Sequence, residues 1–255
     1  MAIHLGTTDR VDCGALPTSG LTEISILLTW IADNPLVGTS FVSKWGTTAQ
    51  RPILVQNNGS NQLDFLVASA TDVIRQVRTV SVIIAGGAVN RLVFRWRASD
   101  QLMAVTNNGS HASLTGILGG SPASLGGDTF AWQYGSQTSE SKNAGAGAYA
   151  EAAVFRRFIT DDEAVAYGKG VSPELLGSSS RLSYLKLMRT TLLNDLWRGT
   201  TATLTGGTQA DHPGMIYAAS ARAIRRSTPA QVHRLMRIES TTWRGSWRGA
   251  QRASR

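Results

Sequence analysis

The sequence has one cysteine, Cys13, in 255 residues. No disulfide can form within the chain, so a disulfide-stapled scaffold is excluded and a reducing compartment is expected. No stretch approaches the roughly 20 apolar residues that a membrane helix needs. The opening MAIHLGTTDR has neither a basic start nor an apolar run, so no signal peptide is expected. Charge is sparse, at 16% of residues. With frequent glycine, that argues against a helical bundle and for a β-rich domain.

Several chemistries lack their residues. A glycan hydrolase needs two carboxylates flanking the scissile bond. Carried on one strand they would alternate on a single face, as in Glu-x-Asp-x-Glu, and no such triplet occurs. Glu140 and Glu151 stand alone. The glycine-rich stretches Gly116–Gly127 and Gly145–Gly147 carry neither a P-loop Lys-Ser/Thr nor a strand–GxGxxG–helix context, so they read as loops. There is no nucleophile-elbow motif. His4, His111, His212 and His233 do not fall at metal-ligand spacing with one another or with Cys13. His212, in DHPG, reads as a turn residue. Asp64, Asp72, Asp100 and Asp128 are scattered, whereas calcium takes six to eight oxygens. No cofactor or metal is expected, and the chain reads as non-enzymatic.

Short strand patterns fill the first two-thirds. They are Glu23–Ile31, Thr39–Trp45, Arg51–Gln56, Gln62–Ala68, Arg78–Ala85, Arg91–Ala98, Gln101–Thr106 and Thr129–Tyr134. NNGS occurs twice, at Asn57–Ser60 and Asn107–Ser110. Asn-Gly supplies the positive φ angles of tight hairpins. Regularly spaced strands with such turns predict an antiparallel sandwich or barrel. Trp30, Trp45, Trp96 and Trp132 lie in these patterns and are expected in the core. One helix is predicted from Thr160, with Glu163 three residues on as a capping box. Asp161 and Asp162 fill its positive first turn. Gly168 or Gly170 ends it, and Pro173 prevents continuation.

The positive charge is segregated. Residues 218–255 hold nine arginines and one acid, Glu239, while 1–217 hold equal numbers of basic and acidic residues. The chain therefore reads as an uncharged body with a basic arm. Within the arm, Thr228-Pro229 begins a predicted short helix, Pro229–Glu239. Trp243 and Trp247 follow, each before Arg-Gly. Arginine and tryptophan are enriched at protein-binding hot spots. The expected partner-binding residues are Arg222, Arg225, Arg226, Arg234, Arg237, Trp243, Arg244, Trp247, Arg248 and Arg252. The 38 residues could reach ~120 Å fully extended. An ordered arm held on a protein surface is expected. Nucleic acid ranks behind that, and a lipid surface last.

The order of the pieces resembles the concanavalin-like jelly roll in its laminin-G-like form. DRVDCGAL (Asp9–Leu16) resembles the opening strand, and EISILLTWI the second, which commonly ends in tryptophan. TSFVSKWG and VSVIIAGGAVNRLVFRWRASDQLMAV resemble the strands that follow. YAEAAVFRRFITDDEAVAYGKG (Tyr149–Gly170) is similar to the last core strand and its short helix, and is the most specific match. SYLKLMRTTLLNDLWRGTTATLTGGTQADHP resembles a segment often found beside such domains. Trp197-Arg198-Gly199 replaces the usual Gly-Asn-Gly there.

The combination looks more like proteins of bacteriophage particles than like secreted lectins. The resemblance implies an all-β jelly-roll sandwich over 1–178, an extension over 179–217 packed on it, and the arm over 218–255. It implies a structural protein of a phage-like virion, assembled in the host cytoplasm. A head decoration or minor capsid protein is the first expectation, with capsid proteins as partners and a homo-oligomeric or symmetric assembly. The alternative is a lectin-like module, on a tail or fibre, that binds glycans. A solvent-facing tryptophan cluster with polar neighbours would favour the lectin. Buried tryptophans and an arm seated in an interface would favour the scaffold.

Overall fold

A computed structural model describes residues 2–33, 39–45, 52–58, 60, 62–127, 130–135, 145–177, 179–187 and 193–215. The chain opens with β1 (Ala2–Leu5) and β2 (Arg10–Asp12), then β3 (Glu23–Ala32). Next come β4 (Ser40–Lys44), β5 (Ile53–Asn57), β6 (Leu63–Ala68) and β7 (Ile74–Thr79). The middle holds β8 (Val89–Arg97), β9 (Leu102–Asn107), β10 (Ser110–His111), β11 (Leu114–Gly119) and β12 (Gln133–Gly135). After β13 (Gly147–Phe155) stand α1 (Asp161–Gly168) and a single 3-10 turn, Pro173–Leu175. Last come β14 (Arg181–Lys186), β15 (Leu193–Asn194), β16 (Thr201–Thr205) and β17 (Thr208–Ala210).

The strands form two antiparallel sheets. The first runs β10-β9-β8-β3-β13-β1-β17, with β14 also on β13. The second runs β11-β7-β6-β5-β4-β12-β2-β16-β15. The core lies between them. Ile24, Ile26, Leu28 and Trp30 enter it from β3, and Val55, Phe65 and Val67 face them from the second sheet. Trp30 packs on Phe41 with ring centroids 4.6 Å apart. Each such side chain, fully buried, contributes about 1.5–3 kcal/mol.

The continuous apolar run of β3 has a structural cause. Its even-numbered residues face the core. Its odd-numbered ones face a second layer, formed by α1 and the segments around it. There Leu27 packs with Val93, Ala153 and Phe155 against Ala164 and Tyr167 of the helix. A strand covered on both faces loses the alternation of a half-exposed one. Its three polar residues on that side are satisfied: Glu23 accepts from the Phe158 amide at 3.0 Å, Ser25 donates to the Arg157 carbonyl at 2.7 Å, and Thr29 bonds the Tyr167 hydroxyl at 2.8 Å.

The helix forms as predicted. Thr160 accepts from the Glu163 amide at 3.2 Å, and Glu163 accepts from the Thr160 amide at 2.9 Å. Arg157 donates both guanidinium nitrogens to Glu163, at 2.6 and 2.5 Å. The carboxyl of Glu163 is thereby held down at about 2, chiefly by Arg157. The helix ends at Gly168, whose Cα faces the backbone of Gly109 so closely that no Cβ fits. Gly109 belongs to the second NNGS, where Asn108 (φ 50°) and Gly109 (φ 82°) make the expected hairpin turn. In the first NNGS, Asn58 Oδ1 accepts from the Ser60 and Gln62 amides at 2.8 and 3.0 Å.

Three expectations need correction. The strand expected over Arg78–Ala85 is β7, which runs from Ile74 to Thr79. A tight turn at Ser69–Asp72, with Asp72 at φ 60°, starts the return strand early and fixes its register against β6. Residues 80–88 leave the sheet. The glycine-rich stretch from Gly116, expected as a loop, supplies most of β11. Among the described residues of Thr129–Tyr134, only Gln133 and Tyr134 join a strand.

The last strands are laid into both sheets: β14 on β13, β17 on β1 and β16 on β2. The Asp195 carboxylate anchors them. It accepts from the Ser183 hydroxyl at 2.5 Å and from the amides of Tyr184, Trp197 and Arg198 at 3.0–3.1 Å.

Candidate functional site

The two sheets differ in what covers them. The outer face of the first is sealed by α1 and by Tyr184, Leu176 and Trp197. On the outer face of the second, the apolar cluster consists of Trp45, Leu54 and Leu66, with Ile74 against them. These come from the sheet itself and the residue after β4. No described helix lies on this face.

Strand register places its side chains in rows. Asp12, Gln133 and Ser43 stand side by side on β2, β12 and β4. The row continues through Leu54, Leu66 and Gln76 on β5, β6 and β7. Beside it, Ser40, Gln56, Asp64, Arg78 and Thr115 form a second row across β4, β5, β6, β7 and β11. An apolar strip is thus bordered by amides, hydroxyls and one ion pair. The middle of the face is buried. Its ends open at half-buried Asp12 on one side and at Arg78 and exposed Thr115 on the other.

The ion pair is bidentate. Arg78 donates Nε and Nη2 to the two Asp64 oxygens at 2.6 and 2.9 Å. The Asp64 side chain is 2% exposed and that of Arg78 30%. The hydrogen bond to Asp64 holds the guanidinium even more firmly charged than usual. The carboxylate therefore fixes the arginine in place, and the rest of the fork reaches the surface. Asp12 accepts from Gln133 at 3.3 Å and from the Gly14 amide at 2.8 Å.

The residues singled out in the sequence are dispersed. The ten arm residues from Arg222 to Arg252, the helix expected over Pro229–Glu239, His233 and Glu140 lie outside the described residues. Trp30, Trp96 and Trp132 are in the core, and Trp45 is buried on the outer face of the second sheet. Among the described residues there is no solvent-facing cluster of tryptophans. Glu151 is fully buried on β13, where it accepts from the Tyr184 hydroxyl at 2.9 Å. Cys13 is buried, and burial, then Asp195, push its thiol well up, away from nucleophilic use. His212 donates to the Pro213 carbonyl at 2.6 Å, and burial lowers its basicity. Among the described residues no three of His, Cys, Asp and Glu stand together as metal ligands. No described helix is long and apolar enough to cross a membrane. The rows of the second sheet escaped sequence reasoning, although QLDFLVA and IRQVRT do show polar side chains alternating with core residues.

No family model matches the chain, and no curated protein matches it in sequence. Solved structures share its fold. A candidate carbohydrate-binding protein from Bacteroides ovatus matches 84% of this chain with a TM-score of 0.59 and 13% identity. The chain spans 62% of that protein's length. The heptameric SAP-like pentraxin of Limulus polyphemus matches over 71% of this chain and 86% of its own, with a TM-score of 0.52 and 12% identity. Domain 4 of AbnA, an extracellular GH43 arabinanase from Geobacillus stearothermophilus, was solved in complex with arabinotriose. It matches over 65% of this chain and 75% of its own, with a TM-score of 0.50 and 12% identity. The protein is thus an antiparallel jelly-roll sandwich of the architecture these proteins share. At such identities the likeness establishes the fold alone.

Proposed function

We propose that the protein is a non-catalytic carbohydrate-binding module that holds a glycan on the outer face of its second sheet. One observation carries this reading. No described helix lies on the face, and its accessible margins, at half-buried Asp12, Gln56 and Arg78 and exposed Thr115, set carboxylate, amide, guanidinium and hydroxyl groups beside a buried apolar strip. A sugar ring offers an apolar C–H face and a rim of hydroxyls that both donate and accept. Of the amides in these rows half-buried Gln56 lies nearest the surface, and an amide both donates and accepts as that rim does. Arg78 supplies donors whose orientation Asp64 has already set, so little side-chain entropy is lost on binding. With Asp64 and Arg78 paired, these rows favour an uncharged sugar over an ionic one. Two of the three structural neighbours are named for carbohydrate binding or were solved with an oligosaccharide, which supports the same reading.

The test is a glycan array probed with the full chain, followed by calorimetric titration of the strongest neutral oligosaccharide. Binding that Gln56→Ala weakens at least tenfold, with the melting temperature unchanged, supports the proposal. An array without any neutral hit, or hits indifferent to Gln56, would remove it.

A second reading, a particle component anchored by the arm, rests on the charge segregation of residues 218–255. Its test is salt-dependent binding of the full chain, but not of a chain ending at Tyr217, to particles lacking this protein.

A further inference from the structure

Among the described residues the sheets have five edge strands; three are blunted by brevity, and β14, beside β13, carries Arg181 and Lys186 at its ends and is bridged at Leu185 to Asp195. Among the described residues β10 and β15 have two residues each, and β17 has three. The remaining edge, β11, has six uncharged residues: Leu-Thr-Gly-Ile-Leu-Gly. It pairs with β7 on one side. Natural proteins protect long edges with lysine, proline or inward charge. This strand has no lysine, proline or charge, and the one protective device it carries is a bulge between Gly116 and Leu118.

Exposed apolar side chains gather at the same edge. Large hydrophobic residues exposed by more than a third are seven among the described residues, and five of them belong here. Ile117 (41%) and Leu118 (44%) are on β11 itself. Val73 (39%) precedes β7, and Val80 (55%) and Val82 (52%) follow it. The Val80 amide donates to the Ser113 carbonyl at 2.8 Å, which holds that segment beside the start of β11. The strand is uncharged, so an extended, uncharged partner strand opposes it without bringing like charges together.

We infer that β11 is a dimerisation edge, where a second copy of this chain adds its own β11 in antiparallel register. A second copy meets every condition on the page. It presents the same six uncharged residues, so no like charges oppose across the junction. An antiparallel strand pair is its own partner about a two-fold axis, the arrangement a symmetric dimer requires. The pairing satisfies the free edge of both β11 strands and joins the two nine-stranded sheets into one. Ile117 and Leu118 of each copy become covered in the same step.

The experiment is sedimentation velocity of the full chain from 1 to 100 µM, in parallel with Ile117→Lys. The position is exposed, so the lysine leaves the fold intact, and a matching melting temperature checks this. The inference expects a dimer for the wild-type chain and a monomer for Ile117→Lys. A wild-type monomer at 100 µM overturns it. So does an oligomer that Ile117→Lys leaves unchanged, which would move the interface to another surface.

Discussion

Replacing Glu163 by glutamine removes one charge from a point where three segments meet. Its carboxylate accepts from Arg157 at the exit of β13, from the Thr160 amide at the helix start and from the Gly177 amide at 3.2 Å. Arg157 holds this carboxyl at about 2 against an ordinary 4.5. At about 1.4 kcal/mol per tenfold change in acidity, that corresponds to at most ~3 kcal/mol of stability. The side chains of Arg157 and Glu163 are 18% and 21% exposed, and partial solvation reduces the expected loss to ~2 kcal/mol. The sign follows from a depressed acid. The stabilisation is complete above the unfolded value near 4.5 and is lost as pH falls through about 2. Urea unfolding of wild type and Glu163→Gln at pH 7, 5, 4 and 3 measures it. The difference should hold at ~2 kcal/mol from pH 7 to 5 and drop below about half by pH 3. At pH 7 it corresponds to ~4–8 °C in melting temperature. A difference that stays constant down to pH 3, or is absent at pH 7, refutes the assignment of this ion pair.

Asp195→Ala leaves three backbone amides and the Ser183 hydroxyl without their acceptor, and should cost ~3 kcal/mol or more in urea unfolding. Asp195→Asn keeps the oxygen that serves the three amides and should cost clearly less. Gly168→Ala drives a methyl into the Gly109 backbone and should destabilise by ~1–3 kcal/mol. Gly116→Ala, with nothing within 4 Å of the added carbon, should change stability by less than ~0.5 kcal/mol. Differential scanning calorimetry of the two glycine variants separates these outcomes.

The sequence was most legible where a local pattern has a local cause. The capping box at Thr160 and Glu163 depends on residues three apart, and the second NNGS turn depends on two positive φ angles. Both stand as read. The sandwich itself followed from strand spacing and turns. Period two, by contrast, says that a strand has two faces without saying which meets the core. In EISILLTWI both faces are buried because α1 lies 138 positions away from Thr29 in sequence, at Tyr167. The candidate face joins side chains from β2, β4, β5, β6, β7, β11 and β12, and only the register assembles them. Position 116 shows a different limit. Glycine there reads as loop, yet β7 recruits it into a strand. The arm was conspicuous in composition, and composition alone does not say what it binds.

The central claim is that the outer face of the second sheet holds a sugar, with the Asp64–Arg78 pair in the contact. The most direct measurement is calorimetric titration of an array-selected neutral oligosaccharide into wild type and into the double variant Asp64→Asn, Arg78→Met. Removing both charges together leaves no buried ion unpaired. The account predicts measurable binding by wild type and at least a tenfold loss in the double variant at equal melting temperature. Equal affinity in the two proteins would contradict it, and would place any sugar site elsewhere on the sandwich.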